Sequence, residues 1–145
     1  APSHDSWGGD AGAARYLTDD EPTDVRTITR LILDSEISRA GYLYATAVGL
    51  LWGAVLSTGR IERRNGLYVF RGMPKWAFGR GGSCVGSCYL TAENVTDDVL
   101  EHESVHKRQW QRYGMLFPFL YLVAGRDPLT NRFEVEAGLE KGGYL

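Results

Sequence analysis

The sequence predicts an α+β fold, mostly helical, with a small antiparallel sheet placed before a central helix. Three observations carry that prediction. Apolar residues recur at helical spacing over 23–38, turn dipeptides and short β-type runs follow over 61–91, and start and stop signals bracket a helix at about 97–113. With 145 residues, 43% of them hydrophobic and 23% charged, the chain has the usage of one globular domain with a real core.

Residues 1–22 are polar, acidic and Gly-rich, and read as a flexible lead without the periodicity of a packed element. Residues 23–145 read as a single domain, with a helical front part at 23–59, strands at 61–91 and a group of helices at 96–141. In the front part Thr23 can cap a helix that starts at Asp24 and places Val25, Ile28, Leu31, Ile32 and Ile37 on one side. A second helix over about 41–57 forms a hairpin with the first or extends it. It lies in Ala40–Gly59, a run without formal charge, with Arg39 before it and Arg60, Arg63 and Arg64 after it. The run is long enough to cross a bilayer, but its glycines, Thr46, Ser57 and Thr58 moderate its hydrophobicity. A buried core helix and a membrane-inserted or interfacial one both stand open. The charge-free run Tyr113–Gly125 is too short to span.

Asn65-Gly66 is a turn signal, and Leu67-Tyr68-Val69-Phe70 a compact strand. Gly72–Gly82 contains Pro74 and several glycines, with Trp76 and Phe78 as a short alternating piece, and Ser83–Thr91 reads as another strand. Thr96 is an N-cap, Asp97 and Asp98 suit the positive end of the helix dipole, Lys107, Arg108 and Arg112 sit toward its other end, and Gly114 stops it. Met115–Ala124 is an apolar helical segment that ends at Gly125 and Asp127-Pro128. Trp110, Tyr113, Phe117, Phe119 and Tyr121 are expected to pack together there. Asn131 can cap a last helix from Arg132 that ends before Gly142-Gly143.

Charge excludes one class of function. Sixteen Lys and Arg against 18 Asp and Glu leave a net charge of −2, without the basic excess of a protein that neutralises phosphates, so nucleic acid is not an expected partner. Two cysteines are too few for a disulfide scaffold. In a regular strand Cys84 and Cys88 would share a face about 13 Å apart, beyond disulfide reach. A turn at Gly86 could bring them together. Buried thiols, a local disulfide and metal ligation stay open for the pair.

The central helix carries His102-Glu103-Ser104-Val105-His106, an H-E-x-x-H motif. Four residues are slightly more than one helical turn, so both imidazoles project from one face and can bind one Zn²⁺. Glu103 then faces a neighbouring part of the cleft, as a general base for water without being a ligand. A catalytic zinc needs a third protein ligand. His4 lies in the lead, and the final helix offers Glu134 and Glu136. Two positions apart, these are about 200° apart around a helix and cannot both face one metal. Glu134 also occupies the N3 place of a capping box after Asn131, which would give it a purely local role.

The H-E-x-x-H helix, the apolar helix and the later Phe133-Glu134-Val135-Glu136-Ala137 segment resemble the gluzincin class of zinc metallopeptidases. They are similar to small bacterial proteins with H-E-x-x-H-x-x-Q followed by F-E-x-E-A, in which the Gln position is Gln109 here. The resemblance covers residues 83–140 and implies a zincin-like fold with His102, His106 and Glu134 as ligands of Zn²⁺. Where related membrane metallopeptidases have Asp after the Ala, this chain has Gly138, so the resemblance supplies no Asp to support His102 or His106. It also implies an edge strand beside the metal that pairs with an extended substrate, for which Val85–Thr91 is in place, and a nearby oxyanion donor, for which Tyr89, Tyr121 and Tyr144 are candidates. The expected function is a zinc-dependent hydrolase, a metallopeptidase of the metalloendopeptidase type, with Glu103 as general base and a peptide or protein as substrate. The alternative is a non-catalytic zinc-stabilised interaction protein or a membrane-associated subunit, with a membrane surface or membrane protein as partner. A cytoplasmic or membrane-associated setting is expected over free secretion.

Overall fold

The computed structural model describes residues 31–59 and 61–145. The lead, His4 and most of the helix expected over 23–38 lie outside the described residues. What is described of that helix ends early. Asp34 has φ 49°, and Ser35 caps a new helix, α1 (Glu36–Leu56). Ser35 Oγ accepts from the Ser38 N–H, and Ser38 Oγ accepts from the Ser35 N–H at 2.8 Å. This reciprocal cap assigns 36–38 to α1, which therefore starts five residues before the expected Gly41.

The strands are β1 (Glu62–Arg64), β2 (Leu67–Phe70), β3 (Ser83–Val85) and β4 (Cys88–Leu90), in the spatial order β1-β2-β4-β3. Asn65 and Gly66 form the expected tight turn, with φ 51° and 74°, and pair Arg64 with Leu67. The expected strand over 83–91 is instead a hairpin, reversed at Gly86-Ser87 with Gly86 at φ 60°. That reversal also corrects the expected all-antiparallel sheet. The outgoing arm, β3, takes the outer edge, and the returning arm, β4, lies parallel to β2. The sheet is mixed. The link from β2 to β3 passes through a 3₁₀ turn at Lys75–Ala77, where a short extended piece around Trp76 was expected.

Side chains alternate across the sheet as its pleat requires. Phe70, Cys88 and Leu90 pack with Leu50 and Leu56 on the α1 side, while Leu67, Val69 and Tyr89 pack with Val99 and Leu100 of α2 (Asp97–Tyr113) on the other. All three residues of β4 are buried. Cys84 and Cys88 fall on opposite faces and are free thiols. α1 comes close to the sheet along Ala45, Gly49 and Gly53. A Cβ at Gly49 would stand 2.9 Å from that of Cys88, and one at Gly53 would overlap the Phe70 ring. No helix among the described residues is long and apolar enough to cross a membrane. Ile37, Tyr44, Leu51 and Val55 are nevertheless exposed along α1.

α2 has the expected bounds, with Thr96 Oγ1 accepting from the Val99 N–H at 3.3 Å. After a 3₁₀ turn at Gly114–Leu116 come α3 (Phe117–Val123) and α4 (Arg132–Ala137). α4 ends at Ala137, earlier than expected, because Gly138 turns the chain with φ 99°. Asn131 joins the two short helices. Its Oδ1 caps α4 through the Phe133 N–H at 3.0 Å, and its Nδ2 donates to Tyr121 O at 3.1 Å and Gly125 O at 2.9 Å.

The contact between α1 and the sheet is testable. Gly53→Ala should raise helix propensity by about 1 kcal/mol, yet overpack Phe70 by about 1–3 kcal/mol. The expected net result is a lower urea midpoint with an unchanged denaturant slope. A raised midpoint would contradict the close packing.

Candidate metal centre

α2 turns one face inward, so the polar side chains on that face are buried with the apolar ones. His102, His106 and Gln109 are 2%, 6% and 3% exposed. α4, held by Asn131, brings Glu134 (3% exposed) against the two imidazoles. His102 Nε2 lies 3.0 Å and His106 Nε2 3.3 Å from Glu134 Oε2, and the two Nε2 atoms are 3.1 Å apart. Ligand atoms at tetrahedral directions 2.0–2.1 Å from one ion are separated by about 3.3–3.4 Å. The three groups therefore lie close enough to bind one metal ion. Glu136 is exposed, which separates it from Glu134 as the spacing required. Glu134 does not fold back onto its helix start: its carboxylate faces the histidines.

Hydrogen bonding fixes which nitrogens carry protons. His102 Nδ1 is 2.8 Å from the Gly138 carbonyl, which can only accept, so Nδ1 donates. Gln109 Nε2 donates to Phe133 O at 3.1 Å, which turns its Oε1 to His106 Nδ1 at 2.7 Å, and that nitrogen also donates. With Nδ1 donating, both Nε2 atoms face Glu134 Oε2, where a bare Nε2 offers a lone pair to a metal ion and a protonated one donates to the carboxylate. Such partners on the far nitrogen also set ring orientation and basicity in metal-binding histidines. The backbone carbonyl of Gly138 thus supports His102 from behind. Glu134 is held from its other side, where Tyr121 Oη donates to Oε1.

These partners make the site attract positive charge. Burial alone would raise the Glu134 carboxyl, but hydrogen bonds from His102, His106 and Tyr121 hold it well below the usual carboxylate range. Burial would lower His106, yet Glu134 and the nearby Glu103 charge raise it above the ordinary imidazole value. Glu103 is buried beside them. That burial pushes it up to about 7, partly opposed by His106 and His102.

His106, Glu103 and Glu134 open into one cavity of about 420 Å³. Trp110, Phe117 and Leu122 form an apolar wall, and Arg80 and Tyr144 a polar one. Of the three expected tyrosines, Tyr89 is fully buried and donates to Asn94 O at 2.8 Å, outside the cavity lining. Tyr121 is engaged with Glu134. Tyr144 accepts from Arg80 Nη1 at 3.3 Å, which leaves its own proton free to donate. Arg80, also 3.9 Å from Glu134 Oε1, was not legible beforehand. An arginine between glycines has no signature, and only the folded chain shows its φ of 52° and its place in the wall.

The expected edge strand is also different. Residues 88–90 are interior, and the edge is β3. A two-residue hairpin loop makes Val85 and Cys88 a hydrogen-bonded pair, so the Cys84 backbone groups point away from β4. The outward Cys84 carbonyl already accepts from Trp110 Nε1 at 2.9 Å. That edge does not present a free ladder to an extended peptide.

Comparison of the chain with family models, with curated proteins and with solved structures finds no match. The metal-binding reading rests on the geometry of the three side chains.

Competition titration with a chromophoric chelator should show one equivalent of a divalent ion such as Zn²⁺ on the full chain. Gln109→Ala should weaken binding by about 10- to 100-fold, because His106 loses its Nδ1 acceptor. Glu136→Ala should leave affinity unchanged. Equal affinities for all three proteins would remove Gln109 from the site.

Proposed function

We propose that the protein is a zinc-dependent hydrolase, a metallopeptidase of the endopeptidase type with the ligand plan of the gluzincins. The observation that carries this reading is a buried two-histidine, one-carboxylate cluster opening into a cavity that Glu103 also lines. Two imidazoles and a carboxylate at tetrahedral spacing suit Zn²⁺, with His102, His106 and Glu134 holding it. Bound there, zinc supplies Lewis acidity that polarises a carbonyl and makes water acidic near neutral pH.

The chain's own residues do the rest. Glu103 accepts the proton of the attacking water and returns it to the departing amine, so the peptide C–N bond breaks with no net proton change at the carboxylate. Arg80 and the Tyr144 hydroxyl face the space where negative charge develops on the carbonyl oxygen and stabilise it. Tyr121 holds Glu134 Oε1, keeping Oε2 as the atom turned toward the histidines.

A second reading is a non-catalytic zinc-stabilised interaction protein or membrane-associated subunit. The exposed apolar residues of α1 and of α3, Phe119, Leu122 and Val123, favour it. It differs in one outcome: metal binding without turnover.

Glu103→Gln separates the two. It should keep zinc stoichiometry and lower kcat by about 10²–10⁴-fold, since Gln cannot take the proton. Full peptide cleavage by this variant would exclude Glu103 as the base. For the wild-type enzyme, kcat/KM should fall on the acid side. The base works only when deprotonated, burial raises its pKa to about 7, and the nearby cation lowers it, so half-activity should lie below about pH 7. A flat profile from pH 4 to 8 would contradict the assignment.

A further inference from the structure

A second cavity, of about 570 Å³, adjoins the first at Gly79 and Ser83, which line both. Its walls are Val48 and Trp52 of α1, Trp76 and Phe78 of the β2–β3 link, and Val85 of β3. No charged residue lines it. Its one side-chain hydroxyl, on Ser83, already accepts from the Gly79 N–H at 2.8 Å. The groove is therefore mostly apolar.

Two tryptophans stand at this groove, with ring centroids 5.9 Å apart and planes at 86°. Trp52 Nε1 donates to Ala77 O at 3.0 Å, which fixes its ring. Trp76 is 71% and Trp52 42% exposed, large apolar surfaces to leave in water beside a candidate reaction site. Gly79 and Ser83, at the two ends of one short turn, line both cavities, so the groove lies next to the metal cavity.

The geometry points to the Trp52–Trp76 groove as a specificity site for a bulky apolar side chain, aromatic or large aliphatic, on the same peptide whose backbone enters the metal cavity. The inference rests on the hydrolase reading for the role of that peptide, and on the shared Gly79 and Ser83 lining of the two cavities for its path. Backbone pairing with β3 does not supply affinity, since Trp110 holds the outward Cys84 carbonyl. Side-chain burial against the indoles does, and burying one Phe is worth roughly 10- to 100-fold in affinity.

The test uses the zinc-loaded Glu103→Gln protein, residues 1–145, and calorimetric titration with capped peptide pools that scan one Phe through an Ala/Ser background. Phe-bearing pools should bind at least about 10-fold tighter than the background pool. Trp76→Ala and Trp52→Ala, each made in the Glu103→Gln protein, should abolish that advantage while zinc stoichiometry stays at one. The specificity site is overturned if Phe confers no advantage, or if the advantage survives both Trp substitutions. Cleavage of the same pools by the wild-type protein judges the hydrolase reading separately. Phe-dependent binding without cleavage sinks the hydrolase and leaves the groove standing.

Discussion

Two imidazole nitrogens and a carboxylate oxygen, all acceptors when both rings are neutral, converge within 3.0–3.3 Å in a buried part of the protein. With neither a proton nor a metal ion between them, such groups repel one another, because desolvation strengthens the interaction of lone pairs with negative charge. Its persistence depends on groups that pull from behind. The Gly138 carbonyl takes the far proton of His102, Gln109 takes that of His106, and Tyr121 holds the second oxygen of Glu134. A cation at the centre turns the same repulsion into coordination.

The fold around that cluster follows from the need to position α2 and α4. α2 is supported on one side by the sheet through Leu100 and Val99 and closed over the sheet edge by Trp110. α4 is too short to be stable alone. It is held by Asn131, buried and bonded to α3 as well as to its own first turn, and by Phe133 packed edge-on to Phe117 at 5.3 Å. The terminal segment completes the enclosure. Gly142 lies so close to His102 that a Cβ would stand 2.6 Å from its ring, and Tyr144 joins the cavity wall.

The central part of this arrangement was legible in the sequence because it depends on local rules. Helical spacing alone places His102 and His106 on one face, and the capping residues Thr96 and Asn131 mark where α2 and α4 begin. The 200° between Glu134 and Glu136 required that only one face inward. The sheet was less legible. Ser83–Thr91 reads as one strand until Gly86 adopts φ 60°, and that single reversal changes the direction of β4, the identity of the edge and the facing of Cys84 and Cys88. Gly49 and Gly53 likewise resemble helix-weakening residues until the sheet is present for them to meet. Arg80, the Gly138 carbonyl and the Trp52–Trp76 groove arise from tertiary placement, which no local spacing encodes.

The central claim is that one cation is held by His102, His106 and Glu134. Anomalous diffraction collected on either side of the zinc absorption edge, from crystals grown with Zn²⁺, tests it most directly. The account predicts a single strong peak about 2.0–2.1 Å from His102 Nε2, His106 Nε2 and a Glu134 carboxylate oxygen. Zinc bound elsewhere with this cluster empty, or the three side chains turned apart around a hydrogen-bonded water, would contradict it.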